Sequence, residues 1–69
     1  MSVLKVIEIL AESNKSWEDA AIQAVNKVSQ TIKNVKSIYI KNMEAKVENN
    51  KIIEYRINAK VSFEVTPEH

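Results

Sequence analysis

Residues 51–65 (KIIEYRINAKVSFEV) alternate almost without fault: Ile53, Tyr55, Ile57, Ala59, Val61, Phe63 and Val65 fall on one side, and Glu54, Arg56, Asn58, Lys60, Ser62 and Glu64 on the other. A period of two predicts a strand with one oily and one charged face. Residues 3–11 (VLKVIEILA) are β-branched and apolar on both faces, which predicts a strand covered on both sides. Ser16 stands three residues before Asp19, a capping-box variant that opens a helix near Trp17. Trp17, Ala21, Ala24, Val25, Val28 and Ile32 then follow at helical spacing, with Glu18, Gln23, Asn26, Lys27 and Gln30 opposite. Lys33 suits the negative end of the helix dipole and Asn34 the left-handed stop, so the helix is expected over residues 17–33.

Residues 35–47 form a second extended run, and Asn49-Asn50 is the natural turn into the third in a chain without glycine. If that turn sets the register, Met43 opposes Arg56, Lys41 opposes Asn58, Tyr39 opposes Lys60 and Ser37 opposes Ser62, all on the charged face. On the other face Ile38 meets Val61 and Ile40 meets Ala59, forming a platform for the helix. Lys46 would then lie on the helix side at the sheet's end and snorkel. A one-residue bulge would invert the pattern over part of the hairpin.

The element order is strand, helix, strand, strand, an α+β chain. A right-handed crossover makes the first two strands parallel with a gap, which the third fills antiparallel to both. One helix covers one face of three strands. The other face, with Ser37, Tyr39, Lys41, Met43, Arg56, Asn58 and Lys60, is left bare, and self-association is expected to cover it.

Size sharpens that expectation. A chain of 69 residues is read as one domain, residues 1–69, and buries too little surface to be comfortably stable alone. The absence of cysteine excludes disulfides and thiolate metal sites, and a single histidine excludes an imidazole zinc cluster within one chain. Oligomerisation is the remedy left. A net charge of +1 gives no reason to expect nucleic acid. Residues 1–10, broken by Lys5 and Glu8, read as neither signal peptide nor membrane span, so the expected location is the cytoplasm.

Residues 6–9 (VIEI), 16–25 (SWEDAAIQAV), 31–40 (TIKNVKSIYI) and 55–65 (YRINAKVSFEV) together resemble the dodecins. The resemblance covers nearly the whole chain. It implies a β-α-β-β subunit of a hollow homododecamer, helices outside and sheets lining the interior, which binds and stores flavins such as riboflavin or FMN without catalysis. Flavin-binding members carry a tryptophan after the helix that stacks on the isoalloxazine and a glutamine on the last strand. Alignment of these segments puts Ser37 at the tryptophan and Arg56 at the glutamine. Ring stacking contributes roughly 1–3 kcal/mol, which a hydroxymethyl group cannot replace. The flavin pocket is therefore expected to be altered or lost, with Ser37, Tyr39 and Arg56 as the candidate cofactor-facing residues; Tyr39, two residues from Ser37 on the same face, offers a substitute ring but reads more simply as a sheet packing residue.

The segments SWE (16–18) and YRI (55–57) also resemble the calcium dodecins. Calcium wants six to eight oxygen donors, and no EF-hand loop supplies them. Glu8, Glu12, Glu54 and Glu64 are candidate donors, though each reads more simply as a solvated or ion-paired carboxylate. Trp17 sits on the apolar stripe and is expected in the core or at a subunit contact. Arg56 either pairs with a carboxylate of a neighbouring subunit or holds an anionic ligand. His69 reads as a mobile tail. No Ser-His-Asp set or cysteine nucleophile is available, so an enzyme would depend on carboxylates alone, and a non-catalytic binding shell or a ligand-free structural oligomer is favoured.

Overall fold

The computed structural model describes residues 3–65. The chain runs β1 (Val3–Ser13), α1 (Trp17–Ser29), β2 (Val35–Glu48) and β3 (Lys51–Val65). The sheet order is β1-β3-β2, and β3 pairs antiparallel with both neighbours. The expected gap between the crossover-linked strands is thus filled by the last strand. The tail residue His69 lies outside the described residues.

Ser16 caps α1 in an extended conformation, its hydroxyl accepting the Asp19 backbone N–H at 2.9 Å. Glu18 and Asp19 then sit in the first turn, where carboxylates complement the helix dipole. The helix ends at Ser29, four residues before the expected limit. Gln30 N–H donates to the Lys27 carbonyl and Thr31 N–H to that of Val28, both at 3.2 Å, a three-residue spacing, while Ile32 N–H also closes on the Val28 carbonyl at 2.9 Å, so the last turn winds up on Val28 and the ladder goes no further. Asn34 still takes the left-handed conformation, at φ 63°. It does so at the entry to β2, where its carbonyl accepts the Glu64 N–H at 3.0 Å.

The hairpin turns where expected. Asn49 and Asn50 both have positive φ, 53° and 63°, the requirement of a tight turn whose twist matches its strands. Glu48 faces Lys51, and far from the turn Ser37 faces Ser62, Ile38 faces Val61, Tyr39 faces Lys60 and Ile40 faces Ala59. Between these stretches the register is shifted. Irregularities between Ile40 and Asn42 and between Lys46 and Val47 bring Asn42 opposite Asn58, Met43 opposite Ile57, Glu44 opposite Arg56 and Lys46 opposite Glu54. Glu44, not Met43, is therefore the neighbour of Arg56, Asn42 replaces Lys41 beside Asn58, and Lys46 joins the charged row instead of the helix side.

Helix and sheet meet through small side chains. Ala20, Ile57, Ala59 and Val61 have no exposed surface, and Ala24 has 5%. Ile9, Ala11, Trp17, Ala21 and Ile38 pack around this cluster. Ala20, left out of the predicted stripe although it stands one turn from both Trp17 and Ala24, is fully buried, and its short side chain lets the helix backbone approach Ile57 and Ala59. Trp17 closes one end of the core, with its ring edge-on to Tyr55 at 4.9 Å and its indole N–H donating to the Glu44 carbonyl at 2.9 Å.

One chain is too thin to shield its remaining apolar side chains. Its radius of gyration is 14.3 Å, against about 11 Å for a compact domain of this length. β1 was expected to be covered on both faces, yet Leu4, Val6 and Leu10 remain 52%, 57% and 71% exposed. The helix covers only the Ile7, Ile9 and Ala11 side, since one helix cannot reach both faces. Among the described residues no helix is long and apolar enough to cross a membrane.

Candidate functional site

The alternation of β3 fixes what the uncovered face presents. Because Ile57, Ala59 and Val61 are buried under α1, Arg56, Asn58, Lys60 and Ser62 are directed to the opposite side. Register then adds Val6, Glu8, Leu10 and Glu12 from β1, and Ser37, Tyr39, Asn42 and Glu44 from β2. The face is thus a mixed surface of charges and exposed apolar side chains.

Arg56 is its electrostatic centre. Its Nε donates to Glu12 Oε2 at 2.7 Å and its Nη2 lies 2.6 Å from the same oxygen, while Nη1 reaches Glu44 Oε1 at 3.2 Å. All three residues lie in register across β1, β3 and β2. The hydrogen bond that Arg56 donates to Glu12 and the charge of that carboxylate, followed by the bond donated to Glu44, raise the guanidinium pKa above its already high ordinary value. The expected carboxylate partner is therefore present, but it comes from the same chain. With its fork divided between two acids, Arg56 offers little to an anionic ligand.

The structure separates the three residues proposed from the resemblance. Ser37 and Ser62 meet hydroxyl to hydroxyl across β2 and β3. Tyr39, 64% exposed, lies opposite Lys60 on the same row. Arg56 sits six residues further along β3 from Ser62, roughly 20 Å away at strand rise. Tyr39 is nearer, its partner Lys60 standing four residues from Arg56, roughly 13 Å at strand rise.

The candidate calcium donors are mostly engaged. Glu8 lies 3.6 Å from Lys41 Nζ, Glu64 lies 3.6 Å from Lys36 Nζ, and Glu12 holds Arg56. Glu54 borders a depression of about 290 Å³ with Glu44, Ala45, Lys46 and Arg56. Among the described residues no three acidic or histidine side chains are grouped to hold a metal ion. Among the described residues the acids of one chain are thus dispersed, and Ser37 presents a hydroxymethyl group and no ring.

A second polar cluster ties β1 to the helix. Ser13, 6% exposed, donates its hydroxyl to Asp19 Oδ2 at 2.6 Å and accepts the Lys15 N–H at 2.9 Å. Gln23 Nε2 also donates to Asp19 Oδ2, at 2.5 Å. The Ser13 bond, then the Gln23 bond, hold the Asp19 carboxyl below its ordinary pKa, with desolvation opposing and Lys15 assisting. Sequence reasoning missed both Glu44 and Ser13. For Glu44 a signal existed: Lys41-Asn42 is a doubled polar step after Ile38 and Ile40, where the alternation changes phase before Met43 and Ala45.

A three-stranded antiparallel sheet with one helix on one face, and a second face furnished but uncovered, defines a β-α-β-β subunit of the open-faced kind. A family model described as Dodecin matches residues 3–66. The calcium dodecin of Mycobacterium tuberculosis is 36% identical over 67 residues, which span 97% of this chain and 94% of that protein. The chain belongs to the dodecin family. A crystal structure of the calcium-chelating calcium dodecin of M. tuberculosis, described as having a novel calcium-binding site, superposes with a TM-score of 0.80 at 34% identity, covering 99% of this chain and 97% of that one. Dodecin from Streptomyces coelicolor superposes at 0.90 with 18% identity, covering 97% and 96%, a likeness of fold.

Proposed function

We propose that this chain is a non-catalytic binding subunit that works as a closed homododecameric shell, and that its ligand is calcium held by donors from more than one copy, not a stacked flavin. The observation that carries this reading is the uncovered sheet face. It exposes apolar side chains that a lone chain would leave in water, carries Ser37 where the resemblance calls for a ring, and supplies carboxylates that, among the described residues, are not grouped around a cation. The 36% identity to a protein named calcium dodecin supports the choice of ion. Calcium suits donors contributed by several copies because it accepts many oxygens in flexible geometry.

Equilibrium dialysis against calcium, with riboflavin fluorescence followed in parallel, tests the assignment. Saturable calcium uptake with unquenched riboflavin is the expected result. The exposed Tyr39 ring, on the same row as Ser37, supports a second reading as a substitute flavin platform. Tight stoichiometric quenching of riboflavin, lost in Tyr39→Ala, would establish that reading in place of calcium.

A further inference from the structure

The hairpin outruns the rest of the subunit. β1 ends at Ser13 opposite Tyr55, and α1 begins at Trp17, whose indole reaches Tyr55 and the Glu44 carbonyl, so residues 46–53 project beyond both as a two-stranded arm. The chain is 56 Å long and only 20 Å by 13 Å across. A lone ribbon of two strands is marginal in water unless something packs on it. This one carries Val47, Ile52 and Ile53 at its end, 58%, 50% and 41% exposed. The register shift after Lys46 leaves Ile53 as an extra residue, so Ile52 and Ile53 both stand against Val47 and the apolar surface is gathered in one place.

Beside the helix lies a surface of matching character. Ala21, Ile22, Val25 and Ile38 line a depression of about 270 Å³ between α1 and β2, with Glu18 and Asn26 at its rim. The chain cannot fill it with its own arm, because Ile38 stands nine residues before Val47 on the same strand, roughly 30 Å away at strand rise. Charge singles out the pairing. On the arm Lys46 is held by Glu48, and Glu54 borders a depression with Arg56, which leaves the Lys51 ammonium at the tip without an ion pair among the described residues. Glu18, on the groove's rim, also has no ion pair among them.

We propose that the arm of one copy, through Val47, Ile52 and Ile53, docks in the groove that Ala21, Ile22, Val25 and Ile38 form on a second copy, with Lys51 set against Glu18. Arm and groove are different surfaces, so the contact runs head to tail and repeats from copy to copy until it closes. The inference rests on the self-assembly proposed above and adds which surfaces make it. It uses neither the open sheet face nor any ligand.

A sequence without cysteine suits a crosslinking test. Ile22→Cys and Ile52→Cys, both at exposed positions that leave the subunit core intact, are made singly and together in the full chain and oxidised with copper phenanthroline. A disulfide joins only side chains brought into contact, so the double variant should give a ladder of linked chains on a denaturing gel that neither single variant gives. Lys51→Glu and Glu18→Lys should each raise the protein concentration at which the oligomer dissociates by roughly tenfold, and the two together should restore it. Crosslinking of Ile52→Cys alone would place arm on arm, and that of Ile22→Cys alone helix on helix; either result would overturn the proposal. So would an oligomer in which the double variant stays unlinked and the charge reversals change nothing, an outcome that leaves self-assembly itself standing. A parent chain that light scattering finds monomeric would overturn both readings at once.

Discussion

Under the helix, β3 presents Ile57, Ala59 and Val61 without exposed surface, and α1 answers with Ala20 and Ala24. On the other side the same strands carry the Glu12–Arg56–Glu44 ion pairs beside side chains such as Leu10 and Tyr39, which remain more than half exposed. One face is finished by short residues that let two elements touch. The other holds its charges in register within the chain and leaves its apolar groups for something else to cover. The difference teaches that stability and recognition are divided between the faces, so that a change on each should be read out by a different measurement.

The largest effect should come from the finished face. Ile57→Ala removes one of the two largest fully buried side chains and opens a cavity that Ala20 and Ala59 are too short to fill. A loss of about 2–5 kcal/mol is expected in denaturant unfolding at fixed protein concentration. A loss below that range would mean that the helix contact is not where the fold is held.

Arg56→Gln probes the open face. It leaves Glu12 and Glu44 as like charges across β3, so melting should fall, but by less than for Ile57→Ala because the guanidinium is 42% exposed and partly screened. Raising the salt concentration should narrow the gap between variant and parent. A salt-independent difference would show that these charges are shut from water and that the two faces are more alike than described.

The turn joining the two faces' strands gives a smaller effect. Asn50→Val places a β-branched residue at φ 63° and should cost about 1–2 kcal/mol, whereas Asn50→Gly should be nearly neutral. Equal stability of the two variants would contradict the left-handed turn.

The smallest effect is expected from Asp19, whose pKa is lowered by Ser13 and Gln23. A carboxyl depressed on folding contributes fully above its unfolded value of about 3.9, and that contribution is lost as the pH falls through the lower folded value. Asp19→Asn should therefore flatten the acid limb of the stability profile. An unchanged limb would show that the Ser13 cluster does not link β1 to the helix in solution.

Much of the architecture was legible because its signals are local. The alternation of β3, the Ser16 cap and the three left-handed asparagines each arise from preferences of one or a few residues. The helix end at Ser29 was less legible, since Lys33 and Asn34 marked the start of β2 and not the last helical turn. Register in the middle of the hairpin failed for a tertiary reason. The doubled polar step Lys41-Asn42 and the doubled apolar step Ile52-Ile53 both signal phase slips, but only strand pairing shows that they bring Glu44 beside Arg56. For the candidate site, the resemblance named Ser37 and Arg56, and the register added Tyr39, without revealing that one chain keeps Ser37 and Arg56 roughly 20 Å apart. A pocket shared among copies cannot be read from the contacts of one.

The central claim is that the uncovered face is completed by other copies of the same chain. Light scattering coupled to size-exclusion chromatography, on purified protein at micromolar concentration, tests it most directly. The account predicts a mass of about twelve chains, the closed assembly that would enclose every uncovered face. A single species with the 7.9 kDa mass of one chain would contradict it.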